Sequence, residues 1–260
     1  MRRRGGILCR AQLPLALFAA GCRPIAPLAL RVPAPAEAPQ RWQEEIEQFR
    51  RQDRETPFAP GGVVFVGSSS IRFWSTLAAD MAPIPVLNRG FGGSKLADAI
   101  AFAHELVGVH RPSVVLVFSG TNDIDGDAPR SAAEVCALFL ELVARLRAED
   151  RELAIAYVAI TPTRARERHV AIVREANRRI RLACAGDPRL EFIDPTPELL
   201  DAEGRPDPRF FRADGLHLDE DGYAVWTRCI RPVIERLYRR EQARRAALPA
   251  RARPEPEDRP

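Results

Sequence analysis

Short apolar segments alternate along this chain with stretches of helical periodicity, and this alternation constrains its fold more than any other feature. Each apolar segment is continuous, which is typical of a strand that is buried on both faces. A helical stretch between consecutive strands forms a crossover connection, which joins parallel strands. We predict strands at residues 63–66, 84–87, 114–118, 153–160 and 190–193. The pattern therefore predicts an α/β fold, a three-layer α/β/α domain around a parallel five-stranded sheet.

Helical periodicity predicts the elements that cover this sheet. Ser131 and Glu134 form a capping-box pattern at the start of one helix, because each side chain can bind the backbone amide of the other residue. Asp219 and Glu220 suit the amino end of the last helix, where negative charge is stabilised. The predicted helices span approximately residues 42–49, 96–107, 131–146, 167–185 and 219–240.

Residues 1–22 have the composition of a leader. Arg2 to Arg4 precede a mostly apolar stretch at residues 12–20, which is too short to span a bilayer and indicates a signal sequence. The leader ends in Phe-Ala-Ala-Gly-Cys, which resembles a bacterial lipobox, although leucine is usual where Ala19 stands. The resemblance implies lipidation of Cys22 and a location in the bacterial cell envelope, as a lipoprotein or a periplasmic protein. A plain signal peptide and a cytoplasmic protein without a signal are the alternatives.

The remaining sequence divides into three parts. Residues 23–40 are rich in proline and alanine and are predicted to be an extended tether. Residues 41–240 contain all the predicted strands and form the folded domain. Proline, arginine and glutamate dominate residues 241–260, which we expect to be a disordered tail.

The placement of charge argues against a nucleic-acid partner, and the cysteine pattern argues against a metal site. The formal net charge is +4, but the arginines crowd the two ends of the chain and no recognition motif accompanies them. We therefore expect no nucleic-acid partner. The five cysteines form neither a disulfide framework nor a Cys/His cluster, so we expect no metal site. Cys136, Cys184 and Cys229 are interpreted as small core residues.

Residues with catalytic chemistry lie where the predicted strands end. Ser69 follows the first strand, Gly93 the second and Asn122 the third, and Asp214 and His217 lie in the loop before the last helix. Ligands of parallel sheets bind beyond the carboxyl ends of the strands, so these groups are expected on one rim. A serine nucleophile needs a base, and the base needs an orienting carboxylate. A glycine amide and an asparagine side chain can bind the oxyanion of acyl transfer.

Each of these residues also has a purely structural interpretation. His217 could be an ordinary surface histidine, and Asp214 and the segment 120–123 could be polar turns. The glycines at 92 and 93 could serve only a tight turn. Their joint occurrence, each at the end of a predicted element, favours a catalytic interpretation.

Four sequence blocks resemble those of the SGNH hydrolases, also called the GDSL esterase/lipase family. The blocks are Gly67-Ser68-Ser69, the segment Asn-Arg-Gly-Phe-Gly-Gly at 88–93, the segment Gly-Thr-Asn-Asp at 120–123 and the segment Asp-Gly-Leu-His at 214–217. The resemblance implies a flavodoxin-like sheet. Ser68 stands where the family has its name-giving aspartate, which is not the catalytic acid. The form Gly-Ser-Ser-Ser-Ile-Arg-x-Trp is similar to bacterial members that resemble platelet-activating-factor acetylhydrolase.

The resemblance also implies a role for each site residue. Ser69 is the implied nucleophile, His217 the base and Asp214 the residue that orients it. Gly93, Asn122 and the Ser69 amide are the implied oxyanion hole. The family needs no metal or organic cofactor, and its members act on lipid esters, acetylated sugars or thioesters. We therefore predict a serine esterase for short-chain acyl or acetyl esters of lipids or carbohydrates; the alternative is a catalytically silent envelope- or carbohydrate-binding protein on the same fold.

Overall fold

A computed structural model of the chain describes residues 40–247. A short 3-10 turn, Gln40–Trp42, leads into the first helix. The strands are β1 (Val63–Gly67), β2 (Val86–Gly90), β3 (Val114–Phe118), β4 (Ala154–Val158) and β5 (Leu190–Ile193). The helices are α1 (Gln43–Glu55), α2 (Ser69–Arg72), α3 (Leu77–Met81), α4 (Leu96–Ala101), α5 (Ala103–Leu106), α6 (Ala132–Leu146), α7 (Val170–Ala185) and α8 (Glu220–Ala247). Further 3-10 segments are Gly108–His110, Arg164–His169, Thr196–Leu199 and Pro208–Phe210.

The five strands form one parallel sheet in the order β2-β1-β3-β4-β5. This is the doubly wound order of flavodoxin, in which the strand order reverses between β1 and β3. In register, Gly67 at the end of β1 lies beside Gly90 of β2 and Phe118 of β3. The three strand ends that precede the predicted site residues therefore lie next to one another at the same edge of the sheet.

Apolar side chains fill both faces of this sheet. Alternate residues of each strand face opposite layers, so every position of the central strands must be apolar. On one face Val64, Val115 and Ile155 belong to a core that includes side chains of α1 and of α4 to α7. On the other face Phe65 and Leu116 belong to a second core that includes side chains of α2, α3 and α8. The predicted three-layer α/β/α fold is confirmed.

Several predicted elements differ from the observed ones in their bounds, and the second strand and the helix after it do so for identifiable physical reasons. The second strand was predicted at 84–87, but β2 begins two residues later and includes Arg89, which is 1% exposed. A charged residue can be buried there because Arg89 pairs with Asp53 of α1. The single helix predicted at 96–107 is two short helices, since Phe102 between them has φ −107° and ψ 20° and is buried.

The last helix continues past residue 240, where the sequence predicted a disordered tail. Glu241 is 1% exposed although it is charged, and its carboxylate pairs with Arg244 at 2.6 Å. The Gln242 side chain donates a hydrogen bond to the carbonyl of Gly61, just before β1, at 2.9 Å. These contacts hold the last turns of α8 against the domain, so the prediction of disorder is wrong for 241–247. Residues 248–260 lie outside the described residues.

The structure also tests the predicted capping box and the interpretation of three cysteines. The capping box is confirmed, because Ser131 Oγ accepts from the Glu134 amide and the Glu134 carboxylate accepts from the Ser131 amide. Cys184 is buried, whereas Cys136 and Cys229 are half-buried, and all three carry free thiols.

Between residues 40 and 247, none of the helices has the length and apolar composition that a membrane span requires. The predicted leader 1–22, with Cys22, and the tether up to residue 39 lie outside the described residues.

We expect Ser131→Ala to lower the free energy of unfolding by about 1 kcal/mol, because the first turn of α6 loses its side-chain acceptor. Urea unfolding followed by circular dichroism measures this difference. Ser75→Ala is the matched control, since Ser75 is an exposed serine that caps no helix. Equal midpoints for the two variants would contradict a stabilising role of the capping box.

Candidate active site

The turn between β1 and α2 carries Ser69 as the first residue of the helix. Glycines on both sides allow α2 to lie directly against the strand ends. A Cβ atom on Gly67 would lie 2.6 Å from Cγ1 of Ile71, and one on Gly90 would lie 2.2 Å from the Arg72 amide nitrogen, both in α2. Either contact would push α2 away from the sheet. The two glycines thus fix the position of the Ser69 hydroxyl relative to the sheet.

Ser69, His217 and Asp214 form a continuous hydrogen-bonded chain. His217 Nε2 lies 2.8 Å from Ser69 Oγ, across 148 positions of sequence. On the other side of the ring, His217 Nδ1 lies 2.7 Å from Asp214 Oδ2. These separations are ordinary hydrogen-bond lengths, and the imidazole bridges the hydroxyl and the carboxylate.

The Asp214 carboxylate determines which nitrogen of His217 carries a proton. Its second oxygen, Oδ1, accepts from the amides of Leu216 at 2.9 Å and His217 at 3.0 Å. Burial tends to raise the pKa of Asp214, but the hydrogen bonds from His217 and Leu216 outweigh it and lower the pKa to about 2. An ionised carboxylate can only accept, so His217 Nδ1 is the donor. In the neutral ring Nε2 is then left as the acceptor for the Ser69 hydroxyl.

Gly93 and Asn122, the two predicted oxyanion donors, belong to loops that are bonded to each other. Gly93 has φ +79°, a conformation that favours glycine over any residue with a Cβ. The side-chain nitrogen Nδ2 of Asn122 donates a hydrogen bond at 2.9 Å to the carbonyl of Ser94, the residue after Gly93. One of the two N–H groups of that amide is thus used to join the loops, and the structure shows no partner for the other among residues 40–247.

Asp123 joins the same two loops at a second point. Its side chain is fully buried, and Oδ2 accepts from the Leu96 amide at the start of α4 at 3.1 Å. Burial raises the pKa of Asp123, and the Leu96 hydrogen bond opposes that shift. The sequence indicated Asp123 only as part of a block, and its role in holding the Gly93 loop depends on a contact across 27 positions.

Arg166 is a site residue for which the sequence carried no signal. It lies in the 3-10 segment before α7, just ahead of the helix predicted from residue 167, and its φ of −124° and ψ of 27° are not helical. This geometry lets the guanidinium reach the end of β3, where Nη1 donates to Thr121 Oγ1 at 2.8 Å and Nη2 donates to Asn122 Oδ1 at 2.9 Å. Nη2 also pairs with Asp125 at 3.0 Å.

A narrow cleft opens beside the Ser69–His217 pair. Its walls combine apolar side chains with hydroxyls and one guanidinium; they include Ser70, Phe118, Thr121, Thr161, Thr163, Arg166, Phe211, Leu216 and Trp226. The ring of Phe73, which is 37% exposed, packs edge-on against the His217 ring, with 5.0 Å between the ring centroids. The Arg212 guanidinium stacks on Phe73 at 4.8 Å. The site therefore has an aromatic wall next to the histidine.

The structure brings Ser69, His217 and Asp214 into direct contact and bonds the Asn122 side chain to the Gly93 loop. Ser68 is 1% exposed and its hydroxyl has no hydrogen-bond partner within residues 40–247, so it lies away from this chain of contacts. No group of three or more potential metal ligands occurs in the described part of the chain.

Comparison with known sequences places the chain in a family. The sequence model of the GDSL-like lipase/acylhydrolase family matches residues 61–225, which include Ser69, Gly93, Asn122, Asp214 and His217. The chain is similar to platelet-activating factor acetylhydrolase IB subunit alpha1 of Rattus norvegicus. The two are 28% identical over 201 residues, which cover 73% of this chain and 82% of the rat protein.

Solved structures share the fold at lower identity. A GDSL-like lipase from Bacteroides thetaiotaomicron superposes with a TM-score of 0.62 and is 19% identical, covering 74% of this chain and 98% of its own. A carbohydrate esterase of family 3 from Talaromyces cellulolyticus has a TM-score of 0.55 and is 18% identical, covering 69% and 99%. The family model matches most of the domain, and the sheet order agrees with it. The chain therefore belongs to the GDSL-like lipase/acylhydrolase family and is a hydrolase of ester bonds.

Proposed function

We propose that the protein is a serine esterase in which Ser69 is the nucleophile, His217 the general base and Asp214 the residue that orients the base. The observation that carries this proposal is the chain of hydrogen bonds from Ser69 Oγ through the His217 ring to Asp214, with distances of 2.8 and 2.7 Å. A serine hydroxyl is a weak nucleophile until a neighbouring base accepts its proton. This arrangement supplies that base in the required tautomer.

The reaction proceeds as a double displacement. Ser69 Oγ attacks the ester carbonyl carbon while its proton moves to His217 Nε2. The bond from the carbonyl carbon to the alcohol oxygen then breaks, and His217 returns the proton to the departing alcohol. Water, deprotonated by the same nitrogen, then attacks the acyl carbon on Ser69. The bond from that carbon to Ser69 Oγ breaks, His217 returns the proton to Oγ, and the carboxylic acid is released. Asp214 stays ionised throughout and stabilises the imidazolium that forms after each proton transfer.

The carbonyl oxygen becomes negative in both tetrahedral intermediates and needs hydrogen-bond donors. We assign this role to the amides of Ser69 and Gly93 and to the Asn122 side chain. The Asn122 amide supports the assignment, because one N–H group remains after the bond to Ser94 and its orientation is held by neighbours on both sides. Donors that are fixed before the reaction stabilise the oxyanion without reorganisation.

We propose short-chain acyl or acetyl esters of lipids or carbohydrates as substrates. The cleft beside Ser69 is narrow, and the side chains of Phe118, Phe211 and Trp226 contribute to its walls, which favours a small acyl group. The similar structures include a GDSL-like lipase and a carbohydrate esterase, and their names support both alcohol classes as candidates. A catalytically silent binding protein on the same fold is the second candidate, and a covalent label for Ser69 distinguishes the two.

We also propose that the enzyme is attached to the cell envelope through a lipidated Cys22. The support is the order of the sequence, in which basic residues, a short apolar stretch, the lipobox-like ending and a Pro/Ala-rich segment precede the domain. Several acyl chains on one cysteine would give stable attachment, whereas one chain anchors only weakly.

Ser69→Ala should lower kcat/KM for p-nitrophenyl acetate by about 10⁴-fold or more, because within residues 40–247 the Ser69 hydroxyl is the only one bonded to His217. It should also abolish labelling by a fluorophosphonate probe. Ser68→Ala is the matched control and should retain turnover and labelling. Labelling that persists in Ser69→Ala and disappears in Ser68→Ala would assign the nucleophile to the neighbouring serine, and an unlabelled but folded wild-type protein would favour the binding candidate.

Activity should rise with pH through one ionisation, because only a neutral imidazole can accept the serine proton. Asp214 adds no second step at neutral pH, since its pKa of about 2 keeps it ionised there. The measurement is kcat/KM against pH with an uncharged ester. A profile that does not depend on pH would argue against His217 as the base.

Expression in a bacterial host that processes lipoproteins should yield a chain that begins at Cys22 and carries added acyl mass in the membrane fraction. Intact-mass spectrometry of the purified protein makes the measurement. Cys22→Ala should block processing or release the protein, while Cys136→Ala should leave both unchanged. A soluble protein that retains Met1 would rule out the anchor without affecting the assignment of Ser69.

A further inference from the structure

Arg166 holds the oxyanion asparagine from the side away from the Gly93 loop. Its guanidinium donates to Asn122 Oδ1 at 2.9 Å and to Thr121 Oγ1 at 2.8 Å, and it pairs with Asp125 at 3.0 Å. We propose that Arg166 is a positioning residue that orients and polarises the Asn122 amide for the developing oxyanion. The proposal rests on the esterase function proposed above, and neither the family match nor the sequence blocks indicate it.

The contacts on the two ends of the Asn122 amide permit only one orientation. A guanidinium has donors and no acceptor, so the group that faces Arg166 must be the carbonyl oxygen. The Ser94 carbonyl is an acceptor, so the group that faces it must be the NH₂. A rotation of the amide by 180° would set donor against donor and acceptor against acceptor. Without Arg166 only the Ser94 contact would remain to oppose this rotation.

The charge of Arg166 adds to the effect of its geometry. Its side chain is 13% exposed, and arginine stays protonated at any pH at which the enzyme works. A cation that binds Oδ1 draws electron density toward that oxygen and makes the Nδ2–H groups stronger donors, because hydrogen bonds in a chain polarise one another. Asp125, which is 41% exposed, holds the guanidinium in place from the solvent side.

The segment that carries Arg166 also contacts the loop of the general base. The amide of Ala165 donates to the Gly215 carbonyl, between Asp214 and His217, at 3.2 Å. One short segment before α7 is thus bonded to both the base loop and the oxyanion asparagine. A substitution of Arg166 leaves the Ala165 backbone contact with the base loop in place. Of these two connections, it therefore removes only the contact with Asn122.

The test compares Arg166→Met with Arg147→Met. Arg147 is a matched control, because it is 16% exposed, pairs with Asp187, follows the last residue of α6 and is not among the residues that line the cleft. Both variants lose a mostly buried guanidinium, so their thermal midpoints should fall by similar amounts. Only Arg166→Met should lower kcat for p-nitrophenyl acetate, by about 10- to 100-fold, which is less than the loss of a whole oxyanion donor. KM should change by less than about twofold, since the contact acts in the transition state.

A double-mutant cycle with Asn122→Ala separates an effect through the amide from a direct one. If Arg166 acts through Asn122, then Arg166→Met should change kcat by less than about twofold in the Asn122→Ala background. Arg166→Lys should retain part of the activity, because a lysine keeps the charge but lacks the planar fork that reaches three partners.

The outcomes separate this inference from the proposed function. An active, labelled wild-type enzyme whose Arg166→Met and Arg147→Met variants have equal kcat would overturn the role of Arg166 and leave the esterase intact. A loss that appears in KM alone, or that multiplies fully with the loss from Asn122→Ala, would also overturn it, because Arg166 would then act on the substrate directly. A folded wild-type protein with neither turnover nor labelling of Ser69 would overturn both.

Discussion

The parallel register of the sheet is the constraint on which the site depends. Because all strands point the same way, their carboxyl ends lie at one edge, and the segments that leave that edge must lie side by side. Ser69 follows β1, the Gly93 loop follows β2 and Asn122 follows β3, while the segment with Arg166 follows β4. An antiparallel sheet of the same strands would send alternate connections to opposite edges and separate these groups.

Two chains of polar contacts meet at this edge and have the same construction. Asp214 binds His217, which binds the Ser69 hydroxyl. Asp125 binds Arg166, which binds the Asn122 amide. Each chain begins at a carboxylate that is partly exposed, 46% for Asp214 and 41% for Asp125. Water can solvate that end, while the inner end is held in a drier environment where hydrogen bonds are stronger and orientation is maintained.

The sequence predicted the central strands better than the edges of the domain. β3 spans the predicted residues because a continuous apolar segment is stable only where both faces of the strand are buried, as they are at the centre of the sheet. β2 begins later than predicted because Arg89 enters the sheet, which becomes favourable only when Asp53 of a distant helix pairs with it. The end of α8 was predicted to be disordered because its composition is polar, yet Glu241 and Gln242 find partners on the domain.

The sequence by itself determined the parallel α/β architecture and indicated Ser69, Gly93, Asn122, Asp214 and His217 as a group. Both conclusions follow from local signals, since apolar periodicity and the residue types at strand ends can be read within a few positions. Only the tertiary structure decided which way the Asn122 amide points and which residues hold it. Its partner Arg166 is 44 positions away, and the bond forms only because a non-helical turn before α7 aims the guanidinium at the end of β3. Such contacts depend on the distance in space between segments, which local sequence patterns do not encode.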